Sequence, residues 1–126
     1  MAVSFQFIKE ERLSNKQIIN HLFSNGERLF EFPFMVIWET NEKSNVPIKI
    51  ATSVPKRKIQ KATSRNFIKR QIRESYRKLK LPLSQKLAAS ACSLNVLLVY
   101  NSSDIFSSPE IDDKISVTLQ RLSDKV

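Results

Sequence analysis

Apolar residues along this chain change their spacing several times, and each change marks a new element. In "LSNKQIINHLFSNG", Ile18, Ile19, Leu22 and Phe23 recur at intervals of one, three and four, which describes a helix with one buried stripe. Ser14 followed by Gln17 fits a capping box, Leu13 and Ile18 hold the staple positions, and Gly26 supplies a left-handed residue to end the helix. The pattern predicts a helix over about 15–25. From Arg28 the period falls to two: Phe30, Phe32, Phe34, Val36 and Trp38 alternate with Leu29, Glu31, Pro33, Met35, Ile37 and Glu39. Pro33 cannot donate to a ladder and splits this run into strands near 28–31 and 34–40.

The polar run "TNEKSNVP" turns the chain into a third strand, "IKIATSV", with Ile48, Ile50, Thr52 and Val54 on one side and Pro55 closing it. A helix from Arg65 to Lys80 follows, then a short one over about 84–91. The run "SLNVLLVY" is almost wholly apolar, as a strand covered on both faces must be. A last helix opens with Ser108 as N-cap, Pro109 at the first helical position and acids in the first turn, and buries Ile111, Ile115, Leu119 and Leu122. The order α, β, β, β, basic helix, β, α predicts an α+β fold, a small mixed sheet with helices on it. The 126 residues suit a single domain spanning 1–126, with its core over about 10–123, and no internal repeat or linker divides them. A hydrophobic fraction of 41% is enough to bury a core.

Charge alters this picture most. Residues 56–80 carry eleven Lys or Arg against the single acid Glu74, so the whole of the net +9 comes from one block and the rest of the chain is nearly neutral. Segregation of that kind points to a polyanion, either nucleic acid or an anionic membrane surface. Wound at about 100° per residue, Arg65–Lys80 sorts into two arcs. Ile68, Ile72, Tyr76 and Leu79 form the packing arc, while Arg65, Asn66, Lys69, Arg70, Arg73, Arg77 and Lys80 form a cationic one beside it. Asn66 lies inside the cationic arc, where its amide can donate to phosphate and accept from a 2′-hydroxyl or base edge. A merely solvated helix has no need of so much arginine over lysine. A membrane-surface helix fits less well, because the apolar arc is narrow and is required by the sheet. Major-groove reading is disfavoured too, since Ile48–Val54 upstream is strand-like rather than helical. Composition alone does not separate DNA from RNA.

Protein-borne catalysis finds little support. Asp112 and Asp113 adjoin, but the first turn of a capped helix accounts for acids there. His21 reads as a surface or cleft residue, Cys92 as a packed thiol unable to form an intramolecular disulfide, and one glycine excludes a phosphate-cradling loop. No catalytic residue, metal ligand or protein-bound cofactor is expected. The longest apolar run, Val96–Tyr100, is far too short to span a membrane, and "MAVSFQFIKEERL" lacks the form of a secretory signal, so a cytoplasmic location is expected.

At the basic helix the residues carry a resemblance. "SRNFIKRQIRESYR" matches R-N-x-x-K-R-x-x-R-E, the arginine-rich signature of the bacterial ribonuclease P protein component, with Arg65, Asn66, Lys69, Arg70 and Arg73 at its fixed positions. "SVPKRK" resembles the family's lead-in, and "RLSNKQIINHLFSNG", "FPFMVIW" and "LNVLLVYN" resemble its first helix, second strand and last strand. The resemblance implies a four-stranded, ribosomal protein S5 domain 2-like fold with a left-handed β-α-β crossover. It implies a subunit of a ribonucleoprotein endonuclease that removes the 5′ leader from precursor tRNA, in which the RNA and its Mg2+ cleave while the protein holds RNA and leader together. No membrane and no obligate protein partner is implied.

Carried over by position, Lys56, Arg57, Lys58, Arg65, Asn66, Lys69, Arg70 and Arg73 would contact the catalytic RNA, with Lys61 and Arg77 extending that surface. A cleft between first helix and sheet would stack leader bases on aromatics, on a surface separate from the basic helix. Here Phe23 keeps one aromatic, while Ile19 and Ile37 stand where aromatics are usual, so that either the leader contacts are more apolar or Phe34, Val36 and Trp38 supply a shifted platform, with Trp38 equally readable as core. A non-catalytic ribosomal or chaperone-like RNA binder is the alternative reading.

Overall fold

The structure, a computed structural model, describes residues 11–126. The part of the N-terminal stretch read against a secretory signal that spans 1–10 lies outside the described residues. The element order is α1 (Lys16–Asn25), β1 (Glu27–Glu31), β2 (Phe34–Glu42), β3 (Ile48–Ser53), α2 (Ala62–Leu79), α3 (Leu81–Ala88), β4 (Cys92–Tyr100) and α4 (Ser108–Lys125). The strands form one mixed sheet in the order β1-β2-β4-β3, as the α+β reading expected. β1 and β2 pair antiparallel, as do β2 and β4, while β3 runs parallel to β4. A parallel pair needs a crossover, and α2 with α3 provides it.

Each face of the sheet has its own cover. Phe34, Val36, Trp38, Ile48, Ile50, Leu94, Val96, Leu98 and Tyr100 face α2, α3 and α4, which contribute Ile68, Ile72, Tyr76, Leu83, Leu87, Ile111, Ile115, Leu119 and Leu122. On the opposite face Ile37, Leu97 and Val99 meet Leu13 and Leu22, with Ile18 and Ile19 packed alongside. Burial of β4 on both faces explains its unbroken apolar run. Alternation in the first two strands does not continue through Pro33. The register places Leu29 opposite Val36 and Phe30 opposite Met35, so Phe30 leaves the set that contains Phe34, and Phe32 lies exposed in the turn.

Helix ends differ from expectation in instructive ways. Asn15, not Ser14, caps α1: its Oδ1 accepts from Gln17 N at 2.9 Å and Ile18 N at 3.3 Å, which moves Gln17 out of the capping-box position. Gly26 has φ −67°, not a left-handed value. A Cβ there would stand 2.6 Å from Ile37 Cγ2 and 2.7 Å from the Leu22 carbonyl oxygen, so close approach is what requires glycine. Ser107 rather than Ser108 caps α4, in a reciprocal capping box with Glu110. The short helix α3 begins at Leu81 because Pro82 suits a first turn, and it ends at Ala88. Lys43 Nζ closes that end, donating to the carbonyls of Leu87, Ala88 and Ser90 at 2.9, 2.6 and 2.8 Å.

Candidate nucleic-acid interface

The basic stretch consists of a pinned turn and a helix. Pro55 O accepts from Lys58 N at 3.0 Å and Ile59 N at 3.1 Å, and Ile59 is buried, so Lys56 and Arg57 are lifted into solvent. Arg65 reaches back across the turn: its Nη1 donates to the carbonyls of Ile59 at 3.0 Å and Gln60 at 2.7 Å. Half-buried Arg65, assigned by position to the RNA, thus also holds the shape of the basic turn. α2 starts at Ala62, one turn earlier than its periodicity suggested, and Lys61 at its N-cap makes no side-chain capping bond. With no acid in its first turn, the positive end of the helix adds to the cationic field.

The two arcs of α2 fall where the spacing placed them, with one exception. Ile68, Ile72 and Tyr76 are buried, joined by Ser75, while Asn66, Arg70 and Arg73 are exposed and Lys69 and Arg77 half-buried. The exception is Lys80. It is buried and bonds Glu11 at 2.7 and 2.9 Å, which removes it from the cationic surface. Among the described residues Lys56, Arg57, Lys58, Lys61, Lys69, Arg70 and Arg73 have no carboxylate partner. Arg77 does: it pairs with Glu74, and that bond holds the Glu74 carboxyl below its usual range and raises the Arg77 guanidinium. On the far flank, Asp112 of α4 accepts from the buried Ser75 hydroxyl and from Lys78 at 3.1 Å. Those two donors hold the Asp112 carboxyl low and link α4 to α2, while the acid in the first turn of α4 is Glu110 and not Asp112 or Asp113 as the sequence suggested.

A second concave region borders the first. Ile19 of α1, Ala51 and Thr52 of β3, Arg12 and Leu13 before α1, and Arg73 of α2 enclose a cleft of about 240 Å3. Arg73 lines this cleft and also stands on the exposed arc of α2, so the two surfaces border one another at this residue. Phe23 lies on the same flank of α1 as Ile19 and is 41% exposed. Ile37 is fully buried beneath α1. Phe34, Val36 and Trp38, taken as a shifted platform, point to the other face of the sheet and lie in the main core at 1%, 0% and 7% exposure, away from the cleft beside α1. Alternation said that these three share a face; it could not say which face the helices cover. Arg12, Ala51 and Thr52 escaped the sequence reading because periodicity describes one element at a time. His21 is exposed and meets Glu39 at 3.0 Å, on the flank of α1 away from Arg73.

These features have close relatives. The family model described as Ribonuclease P matches residues 7–122. The chain is 32% identical over 75 residues to the ribonuclease P protein component of Porphyromonas gingivalis, a match covering 59% of this chain and 55% of that protein. It is 33% identical over 78 residues to that of Legionella pneumophila strain Corby, covering 62% and 67% respectively. The matched stretch thus spans little more than half of the Porphyromonas relative. In three dimensions it is similar to the RNase P protein from Thermotoga maritima, with TM-score 0.69 at 21% identity over 88% of this chain and 96% of the other. A mutant RNase P protein from Staphylococcus aureus gives 0.70 at 18% identity, over 90% and 89%. The helix signature, the fold around it and a family match over nearly the whole length agree: the chain belongs to the ribonuclease P protein family.

Proposed function

We propose that the chain is the protein subunit of a ribonucleoprotein that removes the 5′ leader from precursor tRNA, and that it grips the catalytic RNA through α2 and the turn before it. The observation that carries this reading is the row of exposed cations around Asn66 without carboxylate partners. Like charges spaced four apart repel one another by a few tenths of a kcal/mol per pair in an isolated helix. A phosphate backbone removes that repulsion and releases counterions. In this reading Mg2+ belongs to the RNA, which performs the cleavage. Many described carboxylates are already engaged, Glu11 by Lys80, Glu31 by Lys114 and Arg121, Glu74 by Arg77 and Asp112 by Lys78, so no step is assigned to a metal on the protein. The leader enters the cleft between α1 and β3, with Phe23 as a stacking surface indifferent to base identity. Arg73 at the shared wall keeps substrate and catalytic RNA on one concavity. Among the described residues no helix is long and apolar enough to cross a membrane. A part in tRNA processing supports a cytoplasmic location. Membership of the family counts against the non-catalytic ribosomal or chaperone-like alternative.

The test is binding to ribonuclease P RNA across a salt series. Arg70→Glu is expected to weaken binding and to make the dependence of log K on log salt shallower by about 0.7–0.9 for each phosphate that is no longer neutralised. An unchanged slope would show that α2 does not lie on the phosphate backbone.

A further inference from the structure

On the flank of α1 away from Arg73, the sheet carries a second hollow. Gln17, Ile18 and His21 form its wall on α1, and Asn95 of the central strand β4 forms its floor. Two adjoining spaces of about 360 and 150 Å3 share Ile18, Asn41 and Asn95, and the smaller also reaches Lys49. Asn95 is anomalous. It lies at 7% exposure on a strand whose neighbouring positions are Leu94, Val96 and Leu97, yet no described residue hydrogen-bonds its side-chain amide. Other buried polar groups on and just after β4 are treated differently. Ser93 Oγ accepts from Ser44 N at 2.9 Å, and Ser102 Oγ from Asp104 N at 3.1 Å. Among the described residues Thr118 Oγ1 is the one fully enclosed side-chain polar atom without a partner, so the Asn95 amide keeps its outlet through the hollow. A strand needed only for packing would carry an apolar residue there, because an unsatisfied amide in a buried position destabilises the fold.

We infer that this hollow receives one unstacked nucleobase of a bound RNA strand, with the adjoining phosphate on Lys49. The inference rests on the reading of the chain as an RNA binder. An amide presents a donor and an acceptor side by side, which is what the edge of a nucleobase requires, and Ile18 offers an apolar contact for its face. Register supports the phosphate: Lys49 stands directly across from Asn95 on β3, and the pairing places both on one side of the sheet. Two carboxylates border the hollow: Glu39, opposite Asn95 on β2, meets His21 at 3.0 Å, and Glu42 lines the smaller space with Lys49. Continuity supports the strand. Lys49 precedes Ala51, which floors the Arg73 cleft, by two residues of β3, a rise of about 7 Å. A strand leaving the first concavity along β3 therefore reaches the second within neighbouring nucleotides.

The experiment uses the full chain and short single-stranded RNAs of one base each, adenosine, guanosine, cytidine or uridine. Binding is read by fluorescence anisotropy and by the side-chain amide resonances of Asn95. The inference predicts that these resonances shift saturably and that one base composition binds about tenfold tighter than the weakest, the discrimination that a bidentate amide–base pair supplies. Asn95→Leu removes that preference. Lys49→Ala weakens all four alike. Resonances of Asn95 that stay still while those of α2 move would overturn the hollow and leave the RNA-binding reading intact. Absence of binding to any RNA would overturn both.

Discussion

Gly26 shows how much and how little a single residue reveals. Its place after an amphipathic run marks the end of α1, and α1 does end there, but the reason is steric. The turn into β1 presses the backbone against Ile37 Cγ2 and the Leu22 carbonyl, and glycine composition cannot distinguish such a close approach from a left-handed dihedral. Gly26→Ala is expected to cost about 1–3 kcal/mol of stability, read as a lower denaturant midpoint with an unchanged slope. Phe23 reveals more. It is a large aromatic that helical spacing places on the Ile19 flank, and it remains 41% exposed although burial would be favourable. Phe23→Ala is expected to weaken precursor tRNA binding by about 1–3 kcal/mol while sparing mature tRNA. Equal losses for the two RNAs would place Phe23 outside the leader path. Trp38 and its partners Phe34 and Val36 remained ambiguous for a different reason: period two assigns residues to a common face, and only the helices packed on the sheet decide which face is dry.

At the scale of elements, α2 was legible because two demands on it are written in different residue types. Its packing arc is aliphatic and aromatic, and its exposed arc is cationic. The ends were less legible, since Ser14 and Asn15, or Ser107 and Ser108, are equally good caps by composition, and the geometry of the entering chain selects one. The docking of α4 on α2 was not legible at all. Ser75, Lys78 and Asp112 meet across 34 or more positions of sequence. The bonds from Ser75 and Lys78 favour the ionised Asp112, so its folded pKa lies below its unfolded one. Its contribution to stability is therefore complete above about pH 4 and is lost as pH falls through the folded value. Asp112→Asn is expected to flatten stability against pH in that acid range and to leave the profile between about pH 5 and 8 parallel to that of the unmodified chain. An unaltered acid limb in thermal melts would show that the carboxylate does not carry the docking.

Over the whole molecule, the class of fold followed from the order of elements, whereas the strand order β1-β2-β4-β3 depends on long-range pairing that no local pattern encodes. The same limit applies to the site. Charge segregation and the R-N-x-x-K-R-x-x-R-E spacing located the cationic surface, but the sharing of Arg73 between that surface and the α1 cleft emerges only when β3 lies between them. Under the proposed function the two RNAs meet at Arg73, and the protein acts by holding them together. That account is tested most directly by adding the protein to ribonuclease P RNA and precursor tRNA at low magnesium, where RNA alone is least able to offset its own charge. Faster release of the 5′ leader than with RNA alone is predicted, and an unchanged rate would contradict the account.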